Sequence, residues 1–165
     1  MENELSEKRY KLRFSVERSI RYHARMVGKY EIIQKTLMFA TILMGSASFA
    51  ALNDSPELWG GIAATIAAFV LVYAPANKTT LHISLRNKFS DLAIDMESEC
   101  TKENMEKWET ARLRIEQNEP PVFWAVNTDC HNEVCRAWDR LEHVTQIGLW
   151  KRMTMYYMRH DRADV

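Results

Sequence analysis

Between Lys35 and Lys78 the chain carries only two charges, Asp54 and Glu57, and these sit between two uncharged apolar runs, residues 36–52 (17 residues) and 58–76 (19 residues). At 1.5 Å rise per residue the runs span roughly 26 Å and 29 Å as helices, close to the hydrocarbon thickness of a bilayer. Neither run has a polar face, so a water-soluble bundle would have to wrap both on every side with the few apolar residues left elsewhere. The expected fold is therefore an all-α membrane protein: a two-transmembrane helical hairpin continuous with long cytoplasmic helices, followed by a C-terminal helical segment.

Charge placement orients the hairpin. Arg18, Arg21, Arg25, Lys29 and Lys35 precede the first run, Lys78, Arg86 and Lys88 follow the second, and no Lys or Arg lies between. Positive residues stay on the cytoplasmic side, so both termini are expected in the cytoplasm. Tyr30, Trp59 and Tyr73 sit where interfacial anchors belong. The charged, patterned residues 1–35 are not those of a cleaved signal. The expected organisation is an N-terminal cytoplasmic amphipathic helix (1–35), the hairpin (36–76, with spans 36–52 and 58–76), a long cytoplasmic helix (77–118) and a C-terminal helical segment (119–165). Asn53, Asp54, Ser55 and Pro56 supply the turn.

Small residues crowd both spans. Gly60, Ala64 and Ala68 recur every four residues, and Gly45 and Ser48 offer a similar surface on the first span. Such stripes let helix backbones approach closely in a bilayer, within one chain or between chains of an oligomer. The spans carry no Asp, Glu, Lys, Arg or His, which argues against a proton-coupled or substrate-coupled transporter. The hydroxyls of Thr41, Ser46, Ser48 and Thr65 are the candidate pore-lining groups; their alternative is a hydrogen bond to their own helix.

Outside the hairpin the pattern is helical. Ser6 is a candidate N-cap after Glu2 and Glu4, and Val16, Ile20, His23, Val27 and Tyr30 form a stripe at helical spacing. Pro75 is expected to kink or end the second span. A new helix then begins near Thr79, with Leu81, Leu85, Phe89, Leu92 and Met96 on one face. After a break around 98–102 the stripe continues through Met105, Trp108, Arg112 and Ile115. Pro120 and Pro121 end this element and open the next, in which Val122, Val126, Cys130, Val134, Ala137, Leu141 and Val144 are the apolar positions. The tail, with Leu149, Trp150, Met153, Tyr156 and Tyr157 among Lys151, Arg152 and Arg159, suits a bilayer surface or a docked helix.

Little in the chain points to catalysis. Cys130, His131 and Cys135 are the one cluster of soft ligands, but Cys-x4-Cys is not zinc spacing, and Cys130 points away from the other two on a helix. No phosphate loop, HExxH or GxSxG motif occurs. Neither an enzyme, a cofactor, a metal nor a nucleic-acid partner is expected. Asn132 and Glu133, with Glu119, are expected to cap and cross-link helices.

The segments SIRYHARM, GSASFAAL, LHISLRNKFSDL and RLRIEQNEPPVFWAVNTDCHNEVCRAW resemble the bacterial SLATT-type proteins, two-transmembrane modules found beside nucleotide-sensing components of defence systems. The resemblance spans about residues 15–140 and rests on scattered positions: Tyr22, His23 and Arg25 before the spans, His82, Leu85 and Phe89 after them, and Glu119, Pro120, Asn132 and Glu133 further on. It implies an oligomeric inner-membrane effector that permeabilises the membrane in anti-phage defence. Membrane lipid, further copies of the chain and a separate soluble sensor or nucleotide-signalling protein would be its partners. The alternative is a non-conducting membrane scaffold or regulator that docks a soluble partner through its cytoplasmic helices.

Overall fold

A computed structural model describes residues 2–49 and 56–155. These are all-helical, in the order α1 (Glu2–Phe49), α2 (Pro56–Tyr73), α3 (Pro75–Asp95), α4 (Lys102–Glu116), α5 (Trp124–Ala137), a 3-10 turn (Leu141–His143) and α6 (Leu149–Thr154). The chain divides into two units, a head (Met1–Arg25 with Ile83–Val165) and an apolar unit (Met26–His82).

Helix α1 is a single 48-residue element. No proline interrupts it, and Glu4–Lys8, Glu7–Lys11 and Glu31–Lys35 pair across one turn with the acid N-terminal, the favourable orientation. Because α1 already runs at Glu2, Ser6 lies inside the helix and is not its N-cap.

In the head, Leu12 and Val16 of α1, Leu85, Phe89 and Leu92 of α3, Met96 just beyond it, and Met105, Trp108 and Ile115 of α4 form one buried cluster. These are largely the residues of the helical stripes, whose spacing puts them on one face of each helix. Ala125, Val126, Cys130, Val134 and Cys135 of α5 are buried as well.

The long helix expected over 77–118, with a break around 98–102, is two helices, α3 and α4. Ser98 Oγ donates to the Asp95 carbonyl (2.7 Å) and stops α3, while the Thr101 side chain accepts the Asn104 N–H (3.2 Å) as the N-cap of α4. Pro120 and Pro121 do not open α5, which begins at Trp124 after an extended Phe123. The apolar stripe of α5 does not reach Leu141 and Val144, because the helix ends at Ala137 and Asp139 turns into the left-handed region (φ 54°).

In the apolar unit, α2 ends at Tyr73, so the second expected span stops short of residue 76. Ala74 takes φ 45°, and Pro75 opens α3 directly, earlier than the expected Thr79, as a proline at the first helical position can. The stretch Glu57–Asp95 is long and apolar enough to cross a membrane, and 6% of its apolar window is buried within the chain. On α1, Met38, Phe39 and Ile42 are exposed, and on α2 Leu58, Phe69, Leu71 and Val72; Leu71 and Val72 are more than 80% exposed. The expected turn at Asn53–Ser55, the end of the first expected span at 50–52 and the tail residues Tyr156, Tyr157 and Arg159 lie outside the described residues.

Candidate functional site

The head holds a polar hub on the face of α1 that carries Arg18, Tyr22, His23 and Arg25. Helical spacing sets Arg18, Tyr22 and Arg25 along one side, with His23 turned inward. His23 is fully buried; its Nε2 lies 2.9 Å from Glu119 Oε1 in the α4–α5 link, and its ring stacks on Phe89 of α3 at 5.6 Å. The Tyr22 hydroxyl accepts the Phe123 backbone N–H at 3.1 Å, satisfying a donor at the start of α5 that no side-chain cap reaches.

Arg25 forks onto Asp129 and Glu133 of α5, and Arg21 also reaches Glu133 (3.8 Å). Arg21 and Arg25 are four residues apart on α1, as Asp129 and Glu133 are on α5, so two cations on one helix face meet two carboxylates on the other. Burial opposes the charge on Arg25, but its hydrogen bond to Asp129 and the neighbouring carboxylates outweigh it and hold the guanidinium above its ordinary range. Arg18 is pushed down by burial, partly offset by Glu116 and Glu119.

On α5, Asn132 holds the loop that precedes α6. Its amide donates to the Thr145 carbonyl (2.7 Å) and its oxygen accepts the Thr145 N–H (2.8 Å), so one buried side chain satisfies both backbone groups of a residue outside any helix. Of the positions that carry the SLATT resemblance, Tyr22, His23, Phe89 and Glu119 meet around the buried imidazole, with Pro120 next to Glu119 in the link, and Arg25 pairs with Glu133. His82 is not part of either group. It is buried in the apolar unit, stacked on Tyr30 at 5.5 Å.

The soft-ligand cluster offers no reactive thiol. Burial pushes the Cys130 thiol up to about 12, and that of Cys135 is also raised by burial. His131 Nε2 sits 3.4 Å from Cys135 Sγ and 3.2 Å from the His143 carbonyl oxygen. Among the described residues no three His, Cys, Asp or Glu side chains are grouped to hold a metal ion.

In the apolar unit the small-residue stripe is mostly on the outside: Ala64 and Ala68 are exposed and Gly60 is half-covered. A Cβ added at Gly45 would meet nothing within 4 Å. The Thr41 hydroxyl donates to the Leu37 carbonyl (2.9 Å) and that of Thr65 to the Gly61 carbonyl (2.8 Å). Ser46 is exposed, and the side chain of Ser48 lies outside the described residues.

Sequence reasoning missed Arg18, Asp129 and Trp138, whose indole N–H donates to Glu17 (3.2 Å). The matched four-residue spacing of Arg21/Arg25 and Asp129/Glu133 was the available signal for Asp129. No protein-family model, curated protein or solved structure matches the chain.

Proposed function

We propose that the chain is an oligomeric membrane effector of the SLATT type, a two-span hairpin whose assembled copies permeabilise the bacterial inner membrane in antiviral defence. The observation that carries this is the outward face of α2, where Ala64 and Ala68 are exposed on a helix whose apolar window is almost wholly uncovered by its own chain. A contiguous apolar surface of this size needs lipid or other copies against it, and small side chains favour close helix contact there. The polar hub fits the role of control element, since it fixes α1 to α5 by charge pairs that a partner or a conformational step can exchange.

Induced expression in bacteria loaded with a voltage-sensitive dye tests it. Depolarisation is expected, and Ala64→Leu with Ala68→Leu should abolish it while the protein remains in the membrane fraction. Cells that keep their potential with the unaltered protein in the membrane would contradict the effector reading.

A second reading, a non-conducting scaffold, is favoured by one observation: the Thr41 and Thr65 hydroxyls donate to their own helices rather than toward a lumen. One stoichiometric soluble partner recovered from detergent-solubilised protein, without depolarisation, would select it.

A further inference from the structure

The two sides of α6 differ. Met155, just past its end, is buried, and Lys151 Nζ lies 5.5 Å from the centroid of the Trp124 ring, so this side faces the head. Leu149 and Met153, one turn apart, and Trp150 beside them fall on the other side, and each is 67% or more exposed. Arg152, also exposed, flanks them. An apolar face is turned outward by the contacts made behind it.

Its surroundings in the chain are cationic. Residues 143–160 contain no Asp or Glu, and they carry Lys151, Arg152 and Arg159 together with Trp150, Tyr156 and Tyr157. Helix α4 is different, since it interleaves Glu103, Glu106 and Glu109 with Lys107, Arg112 and Arg114 as a water-facing helix does. The place of α6 is set from α1. Tyr22, whose hydroxyl accepts the Phe123 N–H, lies in the last turn of α1 that belongs to the head, and Trp124 follows Phe123 at the start of α5. Through Lys151 and Trp124, α6 is thus held near the turn from which α1 passes on toward the first uncharged run.

A tryptophan among aliphatic side chains prefers the boundary between hydrocarbon and water, and a basic flank adds attraction to anionic headgroups. The same charge disfavours a second copy as the occupant, because two α6 faces packed together would set like cations against each other.

We propose that α6 is a contact of the head with an anionic bilayer surface, in which Leu149, Trp150 and Met153 enter the headgroup layer with Arg152 among the phosphates. The presence of the bilayer rests on the membrane reading proposed above; the contact requires neither a pore nor an oligomer.

The test places a polarity-sensitive fluorophore at Met153→Cys in the full chain, with Cys100→Ser, since Cys130 and Cys135 are buried. A reference sample carries it at Lys107→Cys on exposed α4. Both are reconstituted in phosphatidylcholine vesicles with or without phosphatidylglycerol, each containing a lipid spin-labelled at the headgroup. With phosphatidylglycerol the emission at position 153 should shift to the blue and be quenched, and without it much less so; position 107 should report water throughout. Arg152→Gln should lower the ratio of quenched to unquenched label about five-fold, the loss of one cation at an anionic surface. Leu149→Ser with Trp150→Ser should abolish the quenching while helical circular dichroism is kept. In the unaltered protein, the α6 amides should exchange hydrogen more slowly in vesicles with phosphatidylglycerol than without.

The contact is overturned if position 153 reports water in both vesicles with no change in α6 exchange, or if the quenching is the same with and without phosphatidylglycerol. It is overturned equally if the label is shielded but unquenched, which would mean that protein, not lipid, covers the face. Release of the protein by alkaline carbonate alone would strike at the hairpin's placement instead. The released full chain would then decide the α6 contact by sedimenting with phosphatidylglycerol vesicles, as expected, or with neither lipid.

Discussion

Arg25 is the residue on which the hub turns, because one guanidinium holds both Asp129 and Glu133 of α5, whereas Arg21 reaches Glu133 at 3.8 Å. Truncating it leaves Asp129 and Glu133 facing each other with only Arg21 nearby. Hydrogen bonds to charged groups contribute roughly 1.5–3 kcal/mol each, but Glu133 is partly exposed and its share is screened. Arg25→Ala should lower stability by about 2 kcal/mol in a chemical melt, and Asp129→Asn by less, since Glu133 remains.

Cys130 makes a pH prediction. Its folded thiol titrates near 12, against an ordinary value of 9.0, so the folded state keeps a proton that the unfolded chain gives up. The resulting contribution is intact below about pH 9 and is lost as pH rises toward about 12. Cys130→Ala should flatten the alkaline decline of stability in that window. In the native protein at pH 8, Cys130 should resist alkylation, while Cys100, half-buried, should react.

At the scale of elements, the helices are joined by breaks that differ in cause. Ala74 holds φ 45°, a conformation that costs an L-residue with a Cβ roughly 1 kcal/mol or more. Ala74→Gly should raise stability by about 0.5 kcal/mol, the gain being reduced by the freedom glycine adds to the unfolded chain. A thermal melt of the detergent-solubilised protein reads it. Phe89, fully buried between His23 and the head core, should cost about 3–5 kcal/mol when cut to alanine.

These elements also show what could be read in the residues. The stripes Val16–His23 and Leu85–Met96 were legible because a repeat of three and four places apolar groups on one helix face whatever the partner. The Ser98 and Thr101 stops were legible only as a break, since whether a helix bends or ends depends on which carbonyl or N–H the side chain reaches. The pairing of His23 with Glu119 joins residues 96 positions apart, a separation that no local period encodes. The Tyr22–Phe123 and Asn132–Thr145 bonds serve backbone groups, whose need for a partner is the same in every residue type and leaves no mark in the sequence.

At the scale of the whole molecule, the account depends on what surrounds residues 36–76. Phe39, Ile42, Phe69, Leu71 and Val72 are exposed there, the apolar surface that the proposed function sets against lipid or other copies. The head, by contrast, buries its apolar stripes within itself and carries the charged residues outside them. The most direct measurement is fractionation of bacterial membranes carrying the full chain, washed with alkaline carbonate and then with detergent. The protein is expected to stay with the membrane through carbonate and to leave only with detergent. Its release by carbonate alone would contradict the claim that the apolar unit lies in the bilayer.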